Sequence, residues 1–169
     1  MTDDTVFEFD LVFSLPADAA PEADILDAVF EAGCDDAVAG LGAPGMIGFA
    51  FRRRGRDGEA VIAATVAQIL PALPTGSRLR EVKPDLVSLA EVAARLAISR
   101  QALQKRPMPA PSQAGLYRAA EIAGHLRASP GRIAQALAGS EAWFAAAPAA
   151  QRLNARLSLG TFPERPDQI

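Results

Sequence analysis

The stretch Ser88-Leu-Ala-Glu-Val-Ala-Ala-Arg-Leu-Ala-Ile-Ser-Arg-Gln-Ala-Leu-Gln-Lys-Arg106 decides the fold of the middle of the chain. Ser88 and Glu91 have the spacing of a capping box, in which each side chain accepts a hydrogen bond from the other residue's backbone N–H. Apolar residues at Leu89, Val92 and Leu96 then fall on one face of a helix. We therefore predict a helix that begins after Ser88 and ends at Leu96.

A second short helix is predicted directly after the first. Ala97, Ile98 and Ser99 form a three-residue turn between the two helices. Ser99 is placed to cap a helix over residues 100–106. Pro107 ends that helix because its ring pushes the preceding residue out of helical geometry. Two short helices joined by so short a turn favour a helix-turn-helix.

Residues 89–101 resemble the helix-turn-helix of bacterial DNA-binding regulators, especially the excisionase-like and MerR-like winged group. The Pro-rich loop and the strand and helix that follow, residues 107–126, resemble the wing and its continuation. The resemblance covers residues 86–127 and implies that the second helix enters the major groove of double-stranded DNA. Ala97 stands where the turn of that group usually has glycine, and a left-handed backbone costs alanine on the order of 1 kcal/mol.

The second helix carries the side chains expected to contact DNA. Ala102 and Leu103 are expected to face inward, which leaves the polar and basic side chains outward. Arginine pairs bidentately with guanine and glutamine with adenine, so the expected base contacts are Arg100, Gln101, Gln104 and Lys105. Phosphate contacts give affinity without sequence choice, and those expected here are Ser99, Arg95, Arg106 and Arg118.

The distribution of charge supports this interpretation. The 169 residues carry a formal net charge of -3, which by itself gives no sign of a nucleic-acid partner. Residues 1–85 contain 15 acidic and 7 basic side chains, whereas residues 86–134 contain 2 acidic and 7 basic ones and residues 135–169 three of each. We divide the chain into domains at these limits, and the basic block is the expected polyanion surface.

The acidic block, residues 1–85, has the pattern β-α-β-β-α-β. An alternating strand ends at Pro16, and a helix that opens at Pro21 and ends at Gly33 follows it. The apolar set of that helix is Ile25, Leu26, Val29 and Phe30. The remaining elements are predicted as strands at 35–41 and 46–53, a helix at 58–70 and an edge strand at 78–82. Two helices on one face of a four-stranded antiparallel sheet form the ferredoxin-like arrangement, so the fold class is α+β.

Two motifs in this block have a structural and a functional interpretation. Gly40-Leu-Gly-Ala-Pro-Gly45 matches a dinucleotide-binding pattern, but a strand rather than a helix follows it, so we predict a hairpin turn. Arg52-Arg-Arg-Gly-Arg56 is interpreted as a solvated loop that pairs with nearby acids. The alternative for this run is a second contact to the phosphate backbone.

The composition argues against an enzyme and predicts no cofactor. With one cysteine and one histidine, the chain has no disulfide framework, no thiolate or multi-histidine metal site and no catalytic set. Cys34 is expected to be a buried thiol, and His125 is given no catalytic role. Asp35 and Asp36, as neighbours on a strand, point to opposite faces and do not share a site.

The last block, residues 135–169, is predicted to consist of short helices, with Ser140 as a cap, Pro148 opening a third helix and a tail from Gly160. Trp143 and Phe144 are expected either at a homodimer interface or packed on their own domain. No segment has the length of a membrane span or the pattern of a secretory signal, so we expect a cytoplasmic protein.

The predicted function is a sequence-specific transcriptional regulator, with residues 1–85 binding a small ligand or a protein partner, or mediating dimerisation. The alternative is a protein-interaction adaptor or antitoxin-like partner whose acidic domain is the main binding surface.

Overall fold

Residues 3–162 are described by a computed structural model, which has a mixed α+β fold. Its strands are β1 (Thr5–Ser14), β2 (Val38–Leu41), β3 (Met46–Gly55), β4 (Arg78–Lys83), β5 (Leu86–Val87) and β6 (Tyr117–Arg118). Its helices are α1 (Glu22–Glu31), α2 (Gly58–Ile69), α3 (Leu89–Arg95), α4 (Arg100–Gln104), α5 (Ala119–Arg127), α6 (Arg132–Gly139) and α7 (Glu141–Ser158).

The four long strands form one antiparallel sheet in the order β2-β3-β1-β4. Because side chains alternate along a strand, β1 buries every second residue, and the rings of Phe9 and Phe51 on β3 stack with their centroids 5.7 Å apart. Helices α1, α2 and α7 supply the other half of this sheet core. A second core, the helical core, is built from β5 and helices α3 to α7.

The hairpin predicted between the second and third strands is present. β2 and β3 are joined by residues 42–45, and Gly45 has a φ of 76°, which suits glycine. The predicted start of β2 was wrong, because Asp35 and Asp36 lie in a turn before Val38. Phe30 was also placed wrongly in the core: it is 65% exposed, because α1 buries its neighbour Val29 and successive helical residues differ by about 100°.

The arginine run of residues 52–56 is not a loop. β3 continues to Gly55, because β1 is long enough to pair with it as far as Thr5. Three of the four arginines make ion pairs with acidic side chains: Arg52 with Glu8 at 3.1 Å, Arg53 with Asp36 at 2.8 Å and Arg56 with Asp4 at 3.8 Å. The predicted pairing with acids is therefore confirmed, and the predicted loop was wrong.

Helix α7 belongs to both cores. Phe144 and Ala147 lie in the helical core, whereas Ala150 and Leu153 lie in the sheet core. Pro148 sits inside this helix rather than opening a third one, because burial on both sides of it holds the helix in place. Phe162, in the predicted tail, is buried in the sheet core, and residues 163–169 of that tail lie outside the described residues.

Ser140 is the N-cap residue of α7, as predicted, but it does not use its side chain for the cap. Its hydroxyl instead donates to the Arg95 carbonyl at 3.2 Å. None of the helices within residues 3–162 is long and apolar enough to cross a membrane.

Candidate nucleic-acid interface

The capping box at the start of α3 is formed. The Ser88 hydroxyl accepts from the Glu91 N–H at 3.1 Å, and the Glu91 carboxylate accepts from the Ser88 N–H at 2.8 Å. Leu89 and Val92 are buried in the helical core. This part of the sequence therefore determines where the first helix begins and which face it buries.

The turn after α3 adopts the conformation that the sequence predicts for Ala97. This residue has a φ of 52°, in the left-handed region. The Ile98 N–H donates to the Ala93 carbonyl at 3.0 Å, and the Ala97 N–H donates to the Ala94 carbonyl at 3.2 Å. These two bonds define a Schellman motif, so α3 ends abruptly and the chain turns directly into α4.

We expect the change Ala97→Gly to stabilise the protein by about 0.5 kcal/mol. Relief of the left-handed strain gains about 1–2 kcal/mol, and the greater freedom of glycine in the unfolded chain costs about 0.4–1 kcal/mol. The measurement is the free energy of unfolding in urea. As a control, Ala94→Gly at an exposed position inside α3 should destabilise by about 1 kcal/mol. Equal destabilisation by both changes would contradict the strain at Ala97.

Helix α4 buries one side chain and exposes the rest. The Ser99 hydroxyl accepts from the Ala102 N–H at 3.0 Å, so the predicted cap is confirmed. Leu103 is completely buried, whereas Ala102 is exposed, and its predicted inward position was wrong. The helix ends at Gln104 rather than residue 106. The four side chains that the structure exposes together here are Arg100, Gln101, Gln104 and Lys105.

A two-stranded ribbon lies at the base of the following loop. Leu86 and Val87 of β5 pair antiparallel with Arg118 and Tyr117 of β6. Residues 113–116 form a tight turn in which Gln113 and Leu116 bridge each other, and Gly115 has a φ of 71°. Residues 110–115 of this loop are exposed.

Arg95 lies at the junction of the two cores and away from the exposed face of α4. Its guanidinium forms an ion pair with Glu8 of β1, a residue that also pairs with Arg52. The guanidinium carbon lies 5.3 Å from the centroid of the Trp143 ring, a cation–π geometry. Burial lowers the pKa of Arg95 from its ordinary value. Arg95 therefore joins the helical core to the sheet through its contacts with Glu8 and Trp143.

Arg118 is engaged in a similar way. Its Nη1 donates to the Asp85 carboxylate at 2.6 Å, and Asp85 is 5% exposed. Asn154 of α7 donates to the same carboxylate at 2.9 Å and makes two 2.8 Å bonds with the backbone N–H and carbonyl of Val82. Sequence reasoning missed Asp85 and Asn154. The one available signal was an asparagine, a poor helix former, within an apolar helix.

The two remaining predicted phosphate contacts lie at the ends of α4. Ser99 is exposed, and its hydroxyl hydrogen remains available because the cap uses only the oxygen as acceptor. Arg106 is half-buried and borders, with Pro107 and His125, a shallow depression of about 690 Å³. Ser99 and Arg106 therefore lie at the two ends of α4, next to its exposed side chains. Arg95 lies on α3 and Arg118 on β6.

Cys34 and His125, the two residues considered for catalysis or metal binding, make contacts typical of structural residues. Cys34 is 2% exposed, and burial raises the pKa of its thiol even though Arg53 nearby acts in the opposite direction. Its prediction as a buried thiol is confirmed. His125 is exposed, with Nδ1 3.0 Å from the Glu121 carbonyl oxygen. Within the described part of the chain, no group of three or more His, Cys, Asp or Glu side chains is placed to hold a metal ion.

No protein-family model matches this chain, and neither a curated protein nor a solved structure matches it. Function is therefore inferred from the local geometry of α3, α4 and the β5–β6 ribbon.

Proposed function

We propose that this protein binds double-stranded DNA in a sequence-specific way and acts as a bacterial transcriptional regulator in the cytoplasm. The observation that carries the proposal is the exposed face of α4. Leu103 anchors this helix in the helical core, and the polar side chains left outside, beside Ala102, are two basic residues and two glutamines. These residue types read guanine and adenine edges in the major groove.

The elements around α4 support a winged helix-turn-helix over residues 86–127. The capping box defines the start of α3 through side-chain hydrogen bonds. The backbone bonds of the Schellman turn at Ala97 and the side-chain cap of Ser99 define the turn between α3 and α4. The β5–β6 ribbon and the exposed loop before it stand where the wing of such a module is found. In this proposal Ser99 and Arg106 contact phosphates, while Arg95 and Arg118 position the module on the rest of the protein.

We assign the N-terminal part of the chain, strands β1 to β4 with helices α1 and α2, to the ferredoxin-like fold. The strand order β2-β3-β1-β4, with α1 and α2 as the two crossover helices, is the order this fold requires. We assign to it a role in dimerisation or ligand sensing. A helix-turn-helix monomer reads only a short half-site, and a homodimer reads two half-sites about one helical turn apart.

The test is selection of binding sequences from a random duplex library, followed by titration of the selected duplex and a scrambled one at several salt concentrations. We expect the selected duplex to bind at least about a hundredfold more tightly, and both affinities to fall as salt rises because phosphate contacts release counterions. Equal affinity for both duplexes, even at low salt, would contradict the proposal.

The adaptor function is the second candidate, and one observation favours it. Val38 on the edge strand β2 is 68% exposed and Phe30 on α1 is 65% exposed. Edge strands and exposed apolar side chains are recurrent sites of protein association.

A further inference from the structure

A cleft lies where the sheet, helix α7 and the β5–β6 ribbon meet. Its volume is about 730 Å³, within the range of small-molecule sites, which are frequent at junctions between domains. It is separate from the exposed face of α4. Its lining includes three arginines, Arg78, Arg80 and Arg118, and two acidic residues, Glu81 and Asp85.

Arg118 belongs to the lining of the cleft and keeps unused hydrogen-bonding capacity. A guanidinium has five N–H donors, and the ion pair with Asp85 uses one of them, on Nη1. The Arg118 side chain is 28% exposed. Asp85 is already paired with Arg118 and accepts a further hydrogen bond from Asn154, so both of its oxygens have donors within the protein.

Two further arginines on β4 border the same space. Arg78 and Arg80 are exposed, and neither makes an ion pair with an acidic side chain within residues 3–162. Guanidinium groups match the planar oxygens of carboxylates and phosphates. Three arginines are thus among the residues that line the cleft, with one carboxylate, Glu81, that makes no ion pair within residues 3–162.

The neutral part of the lining suits the rest of a small organic molecule. The amides of Gln113 and Gln151 supply hydrogen-bond donors and acceptors, and Leu79 and Leu157 supply apolar surface. A few polar groups placed among apolar ones is the usual composition of a metabolite site.

We propose that this cleft binds a small organic oxyanion, with its negative group among Arg78, Arg80 and Arg118. The ligand contacts the sheet, the β5–β6 ribbon and α7 at the same time, and so ties the N-terminal part to the segment that follows α4. Binding of the ligand does not depend on the protein binding DNA.

The test is isothermal titration of the full chain, without DNA, with citrate as the carboxylate probe and pyrophosphate as the phosphate probe at constant ionic strength. We expect saturable binding of at least one probe with one site per chain, and the probe that binds identifies the preferred oxyanion. The double variant Arg78→Gln/Arg80→Gln should bind that probe at least about tenfold more weakly, since charge-assisted hydrogen bonds are lost.

The control is Arg54→Gln/Arg132→Gln, which removes the same charge from two exposed sites outside the cleft and outside the α4 face. It should bind the probe within about twofold of the unchanged protein, a difference too small to reflect a lost contact. Unchanged thermal unfolding of both variants without probe establishes that they are folded. Absence of saturable binding by either probe, or equal weakening in the two variants, would overturn the proposal. Because no DNA is present, either result leaves the proposed regulator function to be judged by its own experiment.

Discussion

Replacing Arg100 and Lys105 together with alanine is expected to weaken binding to the selected DNA duplex by about a hundredfold or more. Each base contact of this kind contributes about 1–3 kcal/mol of discrimination. Both side chains are exposed on α4 and make no ion pair within residues 3–162, so the fold should be unaffected. Fluorescence anisotropy with a labelled duplex measures the change, and a scrambled duplex should lose much less affinity.

The matched control for this variant is Arg54→Ala with Arg78→Ala. These arginines are also exposed but lie on β3 and β4, so their loss should change the affinity less than about threefold, through long-range electrostatics alone. Equal losses in both double variants would mean that net charge, rather than the α4 face, determines binding. A stoichiometric protein partner that remains bound to the Arg100/Lys105 variant, with no selective DNA binding by the unchanged protein, would favour the adaptor function.

Replacing Asn154 with alanine is expected to lower the free energy of unfolding by about 2–3 kcal/mol. The change removes two bonds to the backbone of Val82 and one to Asp85, each worth about 1 kcal/mol net. The better helix propensity of alanine returns about 0.6 kcal/mol. The remaining loss is large because the Asp85 carboxylate is buried and loses one of its two side-chain donors. Urea unfolding followed by circular dichroism measures it.

The control for this change is Gln151→Ala, three residues earlier on α7. Gln151 makes no side-chain hydrogen bond within the described residues, so its replacement should change the free energy of unfolding by less than about 0.5 kcal/mol. A similarly small effect of Asn154→Ala would show that α7 is held to β4 by apolar packing alone.

Sequence patterns were sufficient to predict local structure wherever the interactions that determine it join residues close in the sequence. The capping box at Ser88, the Ser99 cap and the left-handed turn at Ala97 each depend on residues no more than five positions apart. Alternation in β1 likewise identified the buried face of the sheet. Such interactions are local, so their signals survive in a single sequence.

Sequence patterns failed to predict local structure where residues distant in the sequence determine it. β3 extends through the arginine run because ten residues of β1 are there to pair with it, and Pro148 remains inside α7 because two cores hold the helix on either side. The ion pairs of Arg95 and Arg118 could not be predicted for the same reason. Glu8 lies 87 residues from Arg95, and Asp85 lies 33 residues from Arg118.

The sequence by itself determined the order of strands and helices from β1 to β4, the two capped helices α3 and α4, and the outward position of Arg100, Gln101, Gln104 and Lys105. Only the tertiary structure decided that α7 joins the two cores, that Arg95 and Arg118 are held in ion pairs with Glu8 and Asp85, and that three arginines border one cleft. Capping and periodicity are encoded by neighbouring residues, whereas ion pairs and clefts depend on which elements pack together, which no local pattern specifies.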